Sequence, residues 1–232
     1  MEDWVVCIWF VAPNPLAMKR FVLFIVFSAL VFILASAAWY VSKLHYGNKQ
    51  TVPLLTGTTS LPTSLFKKVN AHAVAAEQFA GAHQFNTSVC FLIDMSVESG
   101  SDRFFVYDMK KDSVLASGLV THGNCNQNWL AGRKYGNTVG CGCTSLGKYK
   151  IGNAYHGKFG LAYKLHGLDS TNSNAFNRYV VLHSHACLPE SPVNAMEICQ
   201  SNGCPTVSPG FLQQLAVIIN ASKRPVLLWM YE

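Results

Sequence analysis

The distribution of apolar positions divides the chain into a short amino-terminal part and a longer remainder. Residues 21–41 contain no charged side chain, and Lys19 and Arg20 directly precede them. A run of that length suffices for a helix to cross a bilayer, and preceding basic residues favour an amino terminus on the inside. We therefore predict a short segment over residues 1–20, followed by a signal peptide or transmembrane anchor over residues 21–41.

Two fates of this apolar segment remain open from the sequence. Small residues at Ala35-Ser36-Ala37 offer a cleavage site for a signal peptidase, whereas Trp39 and Tyr40 resemble the interfacial anchors of a retained helix. Both fates place the rest of the chain outside the cytoplasm.

The next segment, residues 42–62, is rich in Thr, Gly, Ser and Pro and lacks periodicity, which predicts a linker. Apolar residues then recur at helical spacing, with Thr63 or Ser64 as the cap and an end near Gly81. This pattern predicts a packing helix at the start of a domain over residues 63–232. His72 on that helix is expected to face solvent.

Short apolar runs separated by turn residues fill most of the remaining sequence and predict strands. The predicted strands cover residues 89–93, 103–108, 113–120, 148–151, 160–165, 179–183 and 226–231. Ser208 and Pro209 predict the start of a second helix, which ends near Asn220. The long loop over residues 122–143 is of the kind that is functional or cross-linked. Many short strands with few helices predict a mainly β domain.

Composition and charge narrow the possible partners. Half of the 232 residues are hydrophobic, partly because of the apolar segment, and the formal net charge is +6. This charge suits anionic surroundings. The basic residues are scattered and form no continuous stripe, so we predict no nucleic-acid partner.

Candidate chemistry is concentrated in the turn Ser201-Asn202-Gly203-Cys204-Pro205. Gly203 lets a substrate approach closely, and the N–H groups of Gly203 and Cys204 are placed to bind an oxyanion. His183 ends an apolar run upstream, and a cysteine with a histidine is the minimum for thiolate catalysis. The alternatives are a disulfide half at Cys204 and a structural histidine at His183.

Six further cysteines follow the apolar segment and allow disulfides, zinc ligands or free thiols. Cys187 and Cys199 flank the loop between His183 and Cys204, so a bond between them would stiffen that loop. Cys125 with Cys141 or Cys143 would cross-link the long loop. The zinc alternative combines Cys141 and Cys143 with His183 or His185.

Three stretches together resemble the L,D-transpeptidase catalytic domain, the YkuD-like family of bacterial cell-wall enzymes, and more closely its branch of murein L,D-transpeptidase catalytic domain proteins. These are Thr144-Ser145-Leu146-Gly147-Lys148-Tyr149-Lys150-Ile151, Val181-Leu182-His183-Ser184 and Ser201-Asn202-Gly203-Cys204-Pro205. The similarity covers roughly residues 88–232. Two positions depart from the usual family pattern, because Ser184 replaces a Gly and Pro205 replaces an Arg or Asn. These departures leave the substrate details open.

The resemblance implies a YkuD-like β-sandwich with a few flanking helices, and acyl transfer without a cofactor. Cys204 would attack a peptidoglycan stem tetrapeptide, expel the terminal D-alanine and form a thioester, from which a second stem forms a 3→3 cross-link. His183 would be the base, held by the backbone carbonyl of Ser184, and Gly203 would contribute to the oxyanion hole.

His185 is the alternative base, because two residues along a strand face the same side. Otherwise it is expected to bind substrate, together with Ser201 and Asn202. The resemblance also implies a location on the periplasmic side of the bacterial cell envelope, anchored to the inner membrane if the apolar helix is retained. Two other functions stay open: an L,D-carboxypeptidase, which transfers the acyl group to water, and a non-catalytic peptidoglycan-binding module.

Overall fold

A computed structural model describes residues 15–46, 60–193 and 196–232 of the chain. The chain divides into two units, Met1–Thr51 and Val52–Glu232.

The first unit contains one long helix, α1, over Pro15–Tyr46. Its apolar span, Met18–Val41, has a mean hydropathy of 2.8, and none of this span is buried within the chain. The length and composition suit a signal sequence or a membrane anchor. The predicted helix over residues 21–41 therefore lies within a longer one. The helix includes the first residues of the predicted linker, whose residues 47–59 lie outside the described part of the chain.

The described residues of the second unit form eight strands and two α-helices, in keeping with the predicted mainly β fold. Its elements are α2 (Thr63–Ala82), β1 (Val89–Asp94), β2 (Phe104–Asp108), β3 (Ser113–Gly118), β4 (Gly147–Gly157), β5 (Gly160–Gly167), a 3₁₀ turn (Ser170–Asn172), β6 (Val181–Ser184), β7 (Thr206–Val207), α3 (Pro209–Ala221) and β8 (Leu227–Tyr231).

All eight strands belong to one mixed sheet with the order β3-β2-β1-β8-β4-β5-β6-β7. Two pairs are parallel, β1 with β8 and β6 with β7, and the others are antiparallel. The parallel pair at the end of the sheet sets His183 beside Thr206. The turn that precedes β7 is thereby fixed next to the end of β6.

The two ends of this sheet are joined by the segment that follows β3. Thr121 N–H donates to the Thr206 carbonyl at 2.9 Å, and Asn124 N–H donates to the Ser201 carbonyl at 2.8 Å. Ser201 N–H returns a bond to the His122 carbonyl at 2.9 Å. The sheet therefore curls back on itself, as a sandwich-like fold requires.

Helices cover both faces of the sheet and create two apolar cores. Phe104 and Val106 of β2 pack in the core beneath α3, whereas Phe105 and Tyr107 pack in the core beneath α2. This division follows from the two-residue period of a strand. Both sets are fully buried, so these strands show no alternation between apolar and polar residues.

Local details differ from the sequence predictions at three places. Pro62, rather than Thr63 or Ser64, occupies the cap position of α2, and no side chain caps that helix. His72 is partly buried and stacks on Tyr231, with 3.5 Å between the ring centroids, instead of facing solvent. The cap of α3 is confirmed, because Ser208 Oγ accepts the N–H of Phe211.

The β4–β5 hairpin extends well beyond its predicted strands. β4 continues through residues 152–157, which are partly or fully exposed. These positions carry no apolar pattern because this arm of the hairpin leaves the core. The arm nevertheless matters, since Phe159 at its tip reaches His183.

Candidate active site

Cys204 and His183 line the same cavity, which has a volume of about 240 Å³. His183 lies on β6, and Cys204 lies in the turn that precedes β7. Of the residues predicted to bind substrate, His185, Ser201 and Asn202 all line this cavity as well. The parallel pairing of β6 with β7 is thus the fold feature that brings the predicted site residues together.

The Ser201–Cys204 turn is held by hydrogen bonds to its own backbone. Ser201 Oγ donates to the Cys204 carbonyl at 2.7 Å and accepts the Gly203 N–H at 3.1 Å. Thr121 Oγ1 also donates to the Cys204 carbonyl, at 3.1 Å. Ser201 therefore fixes the turn, and in this conformation the Gly203 N–H is engaged within it. The oxyanion role of Gly203 and the substrate role of Ser201 stay predictions.

Position 203 requires glycine for two physical reasons. Its φ is +103°, a backbone conformation that residues with a Cβ rarely adopt. A Cβ there would lie 2.5 Å from the Cys143 carbonyl oxygen. That carbonyl also accepts a hydrogen bond from Arg178. The long loop and the Ser201–Cys204 turn are consequently packed too closely for any side chain.

The ring of His183 is oriented by a backbone carbonyl. Its Nδ1 lies 3.1 Å from the Ser184 carbonyl oxygen, which can only accept, so Nδ1 carries the proton. In the neutral ring the basic nitrogen is then Nε2. Thr206 Oγ1 lies 3.0 Å from Nε2 and donates to it, and Phe159 stacks on the ring at 4.5 Å between centroids.

Burial lowers the pKa of His183 below its usual value. The Ser184 carbonyl opposes this change by stabilising the protonated ring, and the charge of His185 adds to it. A lowered pKa keeps His183 neutral and able to accept a proton at neutral pH.

The Cys204 thiol is protonated in this environment. Burial raises its pKa, while a hydrogen bond from the Val181 backbone and the positive charge of Arg178 act in the opposite direction. In this conformation the Sγ atom of Cys204 lies 3.8 Å from the Tyr179 carbonyl oxygen. Tyr179 has a left-handed backbone conformation, with a φ of +56°. The thiol and the imidazole therefore face one cavity, each engaged by a different partner.

Two disulfides flank the site. Cys187–Cys199 lines the cavity and closes the loop between β6 and the Ser201–Cys204 turn. Cys125–Cys143 cross-links the long loop and leaves Cys141 as a free thiol. Because its sulfur is part of this disulfide, Cys143 is not a thiolate that could bind zinc, as one alternative from the sequence required. No group of three or more metal-binding side chains occurs within residues 15–46, 60–193 and 196–232.

Four residues near the site carried no signal in the sequence. Thr206 engages the base, Thr121 holds the turn, Phe159 stacks on the imidazole and Arg178 places a cation near the thiol. Tertiary structure brings each of them to the site. Thr206 lies on a two-residue strand, Thr121 in a loop, Phe159 at a hairpin tip, and Arg178 in a connection without periodicity. No spacing rule links them to Cys204.

The family of the chain follows from a match over most of its length. The model of the L,D-transpeptidase catalytic domain (YkuD_2) matches residues 59–231, and the chain belongs to this family. The chain accordingly carries an L,D-transpeptidase-like catalytic domain, of a family that acts on peptidoglycan outside the cytoplasm. Among curated proteins, none matches the chain.

Similar solved structures share little sequence with this chain. One is titled the Ldtfm–avibactam carbamoyl enzyme, with 11% identity over 62% of this chain and 49% of that one and a TM-score of 0.39. Another is the helical cell shape determining protein Pgp2 from Campylobacter jejuni, with 12% identity over 62% and 48% and a TM-score of 0.39. The chain thus spans about half the length of each.

Proposed function

We propose that the protein is an L,D-transpeptidase that forms 3→3 cross-links in peptidoglycan through a thioester on Cys204. The observation that carries this proposal is the shared cavity of Cys204 and His183, in which the Ser184 carbonyl leaves the basic Nε2 of His183 on the side of Thr206. Family membership supplies the substrate class.

The first step is a proton transfer between two neutral groups. Because the pKa of Cys204 is raised and that of His183 is lowered, both groups are neutral before substrate binds. The thiol gives its proton to Nε2 as the sulfur attacks. This transfer requires the sulfur to leave the Tyr179 carbonyl and turn towards Nε2 by rotation about the Cα–Cβ bond of Cys204. Thr206 Oγ1 then gives up its bond to Nε2.

The tetrahedral intermediate carries its negative charge on the former carbonyl oxygen of the stem peptide. The Cys204 N–H and the Gly203 N–H stabilise this charge, with Gly203 exchanging its bond to Ser201 for one to the substrate. Protonated His183 then returns its proton to the departing D-alanine amine. The amine of a second stem attacks the thioester, which restores the thiol and completes the cross-link.

His185 and Asn202 are proposed to contact the substrate, since both are exposed and line the cavity. His185 Nδ1 accepts the Cys187 N–H at 3.1 Å, so its Nε2 is the nitrogen available to a ligand. We further propose that the α1 helix places the catalytic unit outside the inner membrane, as a cleaved signal or as an anchor.

Products formed from tetrapeptide-bearing muropeptides test this function. The proposal predicts cross-linked dimers and free D-alanine from the full chain, and neither product from Cys204→Ser. Tripeptide without dimer would instead identify an L,D-carboxypeptidase. Absence of any product, together with intact folding of the chain, would contradict both enzymatic functions.

A further inference from the structure

A second cavity of about 300 Å³ lies behind the segment that follows β3. Thr121 lines the cavity that contains Cys204, whereas the next residue, His122, lines the second cavity. The segment between them is also hydrogen-bonded to Ser201. The two cavities therefore lie on opposite sides of one short stretch of backbone, and the second takes no part in the proposed acyl transfer.

Arg103 places a buried positive charge in this cavity. Its side chain is fully buried, and its Nε and Nη2 donate to the Val120 carbonyl at 2.9 and 2.7 Å. Nη1 donates to the Val97 carbonyl at 3.2 Å, which leaves one of its two N–H groups without a partner among the described residues. No carboxylate of a described residue lies within ion-pair distance of Arg103. Asp94 acts on Arg103 only from beyond that distance and is itself paired with Lys68. A buried guanidinium with no directly bound carboxylate is costly, so an anionic ligand would stabilise it.

His122 adds a second donor beside Arg103. Nη2 of Arg103 lies 3.2 Å from His122 Nδ1, and a guanidinium can only donate, so Nδ1 accepts and Nε2 carries the proton. The ring is only 4% exposed, and Nε2 has no hydrogen-bond partner. Buried donors are almost always paired, so this N–H is a vacant position for an acceptor.

Arg133 supplies a third group of donors. Its Nη1 donates to the carbonyls of Met95 and Val97, and its Nε lies 3.7 Å from a Glu232 oxygen. Its Nη2 has no partner among the described residues. The planar guanidinium and imidazole donors around this cavity suit the two oxygens of a carboxylate.

Two glutamates, Glu98 and Glu197, also line the cavity and are exposed. Glu197 accepts a hydrogen bond from Trp129 Nε1 at 2.8 Å, which fixes its carboxylate in place. The rim therefore offers two acceptors for a cationic group, beside the buried donors for an anionic one. A ligand with an ammonium group next to its carboxylate satisfies both the buried donors and the exposed acids.

We propose that this cavity is a binding site for the zwitterionic end of an amino acid, with its carboxylate on Arg103 and His122 and its ammonium group on Glu98 and Glu197. Free amino acids and the side-chain end of a diamino acid within a peptide share this chemistry. The volume accommodates a small ligand of this kind.

Calorimetric titration of the full chain in detergent tests the site, with Cys204→Ser as background so that no turnover occurs. The probes are glycine, D-alanine, L-alanine, acetate, methylamine and a tripeptide with a diaminopimelate side chain. If the natural ligand is a free amino acid, glycine or an alanine is expected to bind. If the natural ligand is the side chain of a diamino acid in a peptide, only the tripeptide is expected to bind. Either result supports the site, provided that acetate and methylamine bind at least about tenfold more weakly. Acetate binding as tightly as glycine, or no binding of any probe, would overturn the proposal.

Substitutions test which side chains bind the ammonium group of the ligand and which bind its carboxylate. Glu98→Gln combined with Glu197→Gln is expected to weaken amino-acid binding at least about tenfold without weakening acetate binding. Arg103→Lys is expected to weaken both, since an ammonium lacks the planar set of donors. Glu77→Gln on α2 makes the same chemical change outside the cavity and should leave binding unchanged. If Arg103→Lys does not fold, unchanged binding in the glutamate double variant would by itself overturn the proposal.

Discussion

Two buried histidines, His183 and His122, face the two cavities and have opposite hydrogen-bonding roles. They are 5% and 4% exposed, and burial lowers the pKa of both, to about 4 for His122. The difference lies in the partner of Nδ1. The Ser184 carbonyl next to His183 leaves Nε2 as a base, whereas the Arg103 guanidinium next to His122 makes Nε2 a donor. The neighbour of one nitrogen thus decides what the other nitrogen can do.

This difference supports the proposal that His183, and not His122, is the general base. A general base needs an accessible lone pair close to the nucleophile, and His183 has it on the side of the Cys204 cavity. His122 has no lone pair to offer, because Arg103 occupies one nitrogen and the proton occupies the other. Burial does not distinguish the two histidines, because both are almost fully buried; the partner of Nδ1 does.

The largest effect is expected from removing each imidazole in turn. His183→Gln should slow acylation of Cys204 by a carbapenem by about 10²–10⁴-fold, because the thiol loses its general base. His122→Gln should change the rate by no more than a few-fold. Stopped-flow fluorescence or time-resolved mass spectrometry measures both. Equal losses in the two variants, or a loss on His185→Ala in place of His183→Gln, would contradict the assigned base.

The next largest effect concerns the turn that presents the thiol to His183. Gly203→Ala places a Cβ 2.5 Å from the Cys143 carbonyl oxygen at a φ of +103°, so we expect it to lower the free energy of unfolding by roughly 2 kcal/mol or more. Gly81→Ala in α2 is the matched control, since a Cβ there meets no atom within 4 Å. That substitution should be neutral or mildly stabilising. Urea denaturation compares them, and a neutral Gly203→Ala would refute the close packing of the turn.

A smaller effect is expected from freeing the basic nitrogen of His183. Thr206→Val removes the hydroxyl that donates to Nε2, so acylation should accelerate by about fivefold, the equivalent of one hydrogen bond. Thr121→Val removes a hydroxyl that holds the Cys204 carbonyl but does not touch His183, and it should give no acceleration. A slower Thr206→Val enzyme would show that Thr206 assists the base instead of restraining it.

The smallest effect is a shift in the pH dependence of acylation. Since burial lowers the pKa of His183, the rate should fall only when the pH drops below the usual histidine value of about 6.5. The charge of His185 contributes to this lowering, so His185→Ala should raise the pKa of His183 and move the acidic limb to higher pH. Rates measured across the acidic range test the direction. A shift to lower pH would contradict the assigned electrostatics.

The sequence predicted the part of the site that depends on local pattern. The apolar run before His183, the Gly203-Cys204 turn and the cap at Ser208 each have a signature within a few residues. Their spacing is compatible with a loop that returns Cys204 to His183, and the two residues line one cavity. The same local signals located six strands correctly to within a few residues, because those strands lie in the core.

The features that the sequence missed depend on tertiary contacts. β7 has two residues and no pattern of its own, so Thr206 could not be recognised as the partner of His183. Arg103 stands at the start of a predicted strand like a surface charge, yet it is fully buried by a segment that begins at Leu119. Cys141 and Cys143 differ by two positions, and only the loop geometry selects Cys143 as the partner of Cys125.

The most direct test of the account is the position of a carbapenem adduct on the full chain, mapped by peptide mass spectrometry. The account predicts one adduct, on the peptide that contains Cys204, and none in the Cys204→Ser variant. Cys90 is buried and burial raises the pKa of its thiol, while Cys141 is the third free thiol of the described chain. An adduct on Cys90 or Cys141 in place of Cys204, or no adduct on a correctly folded chain, would contradict the central claim.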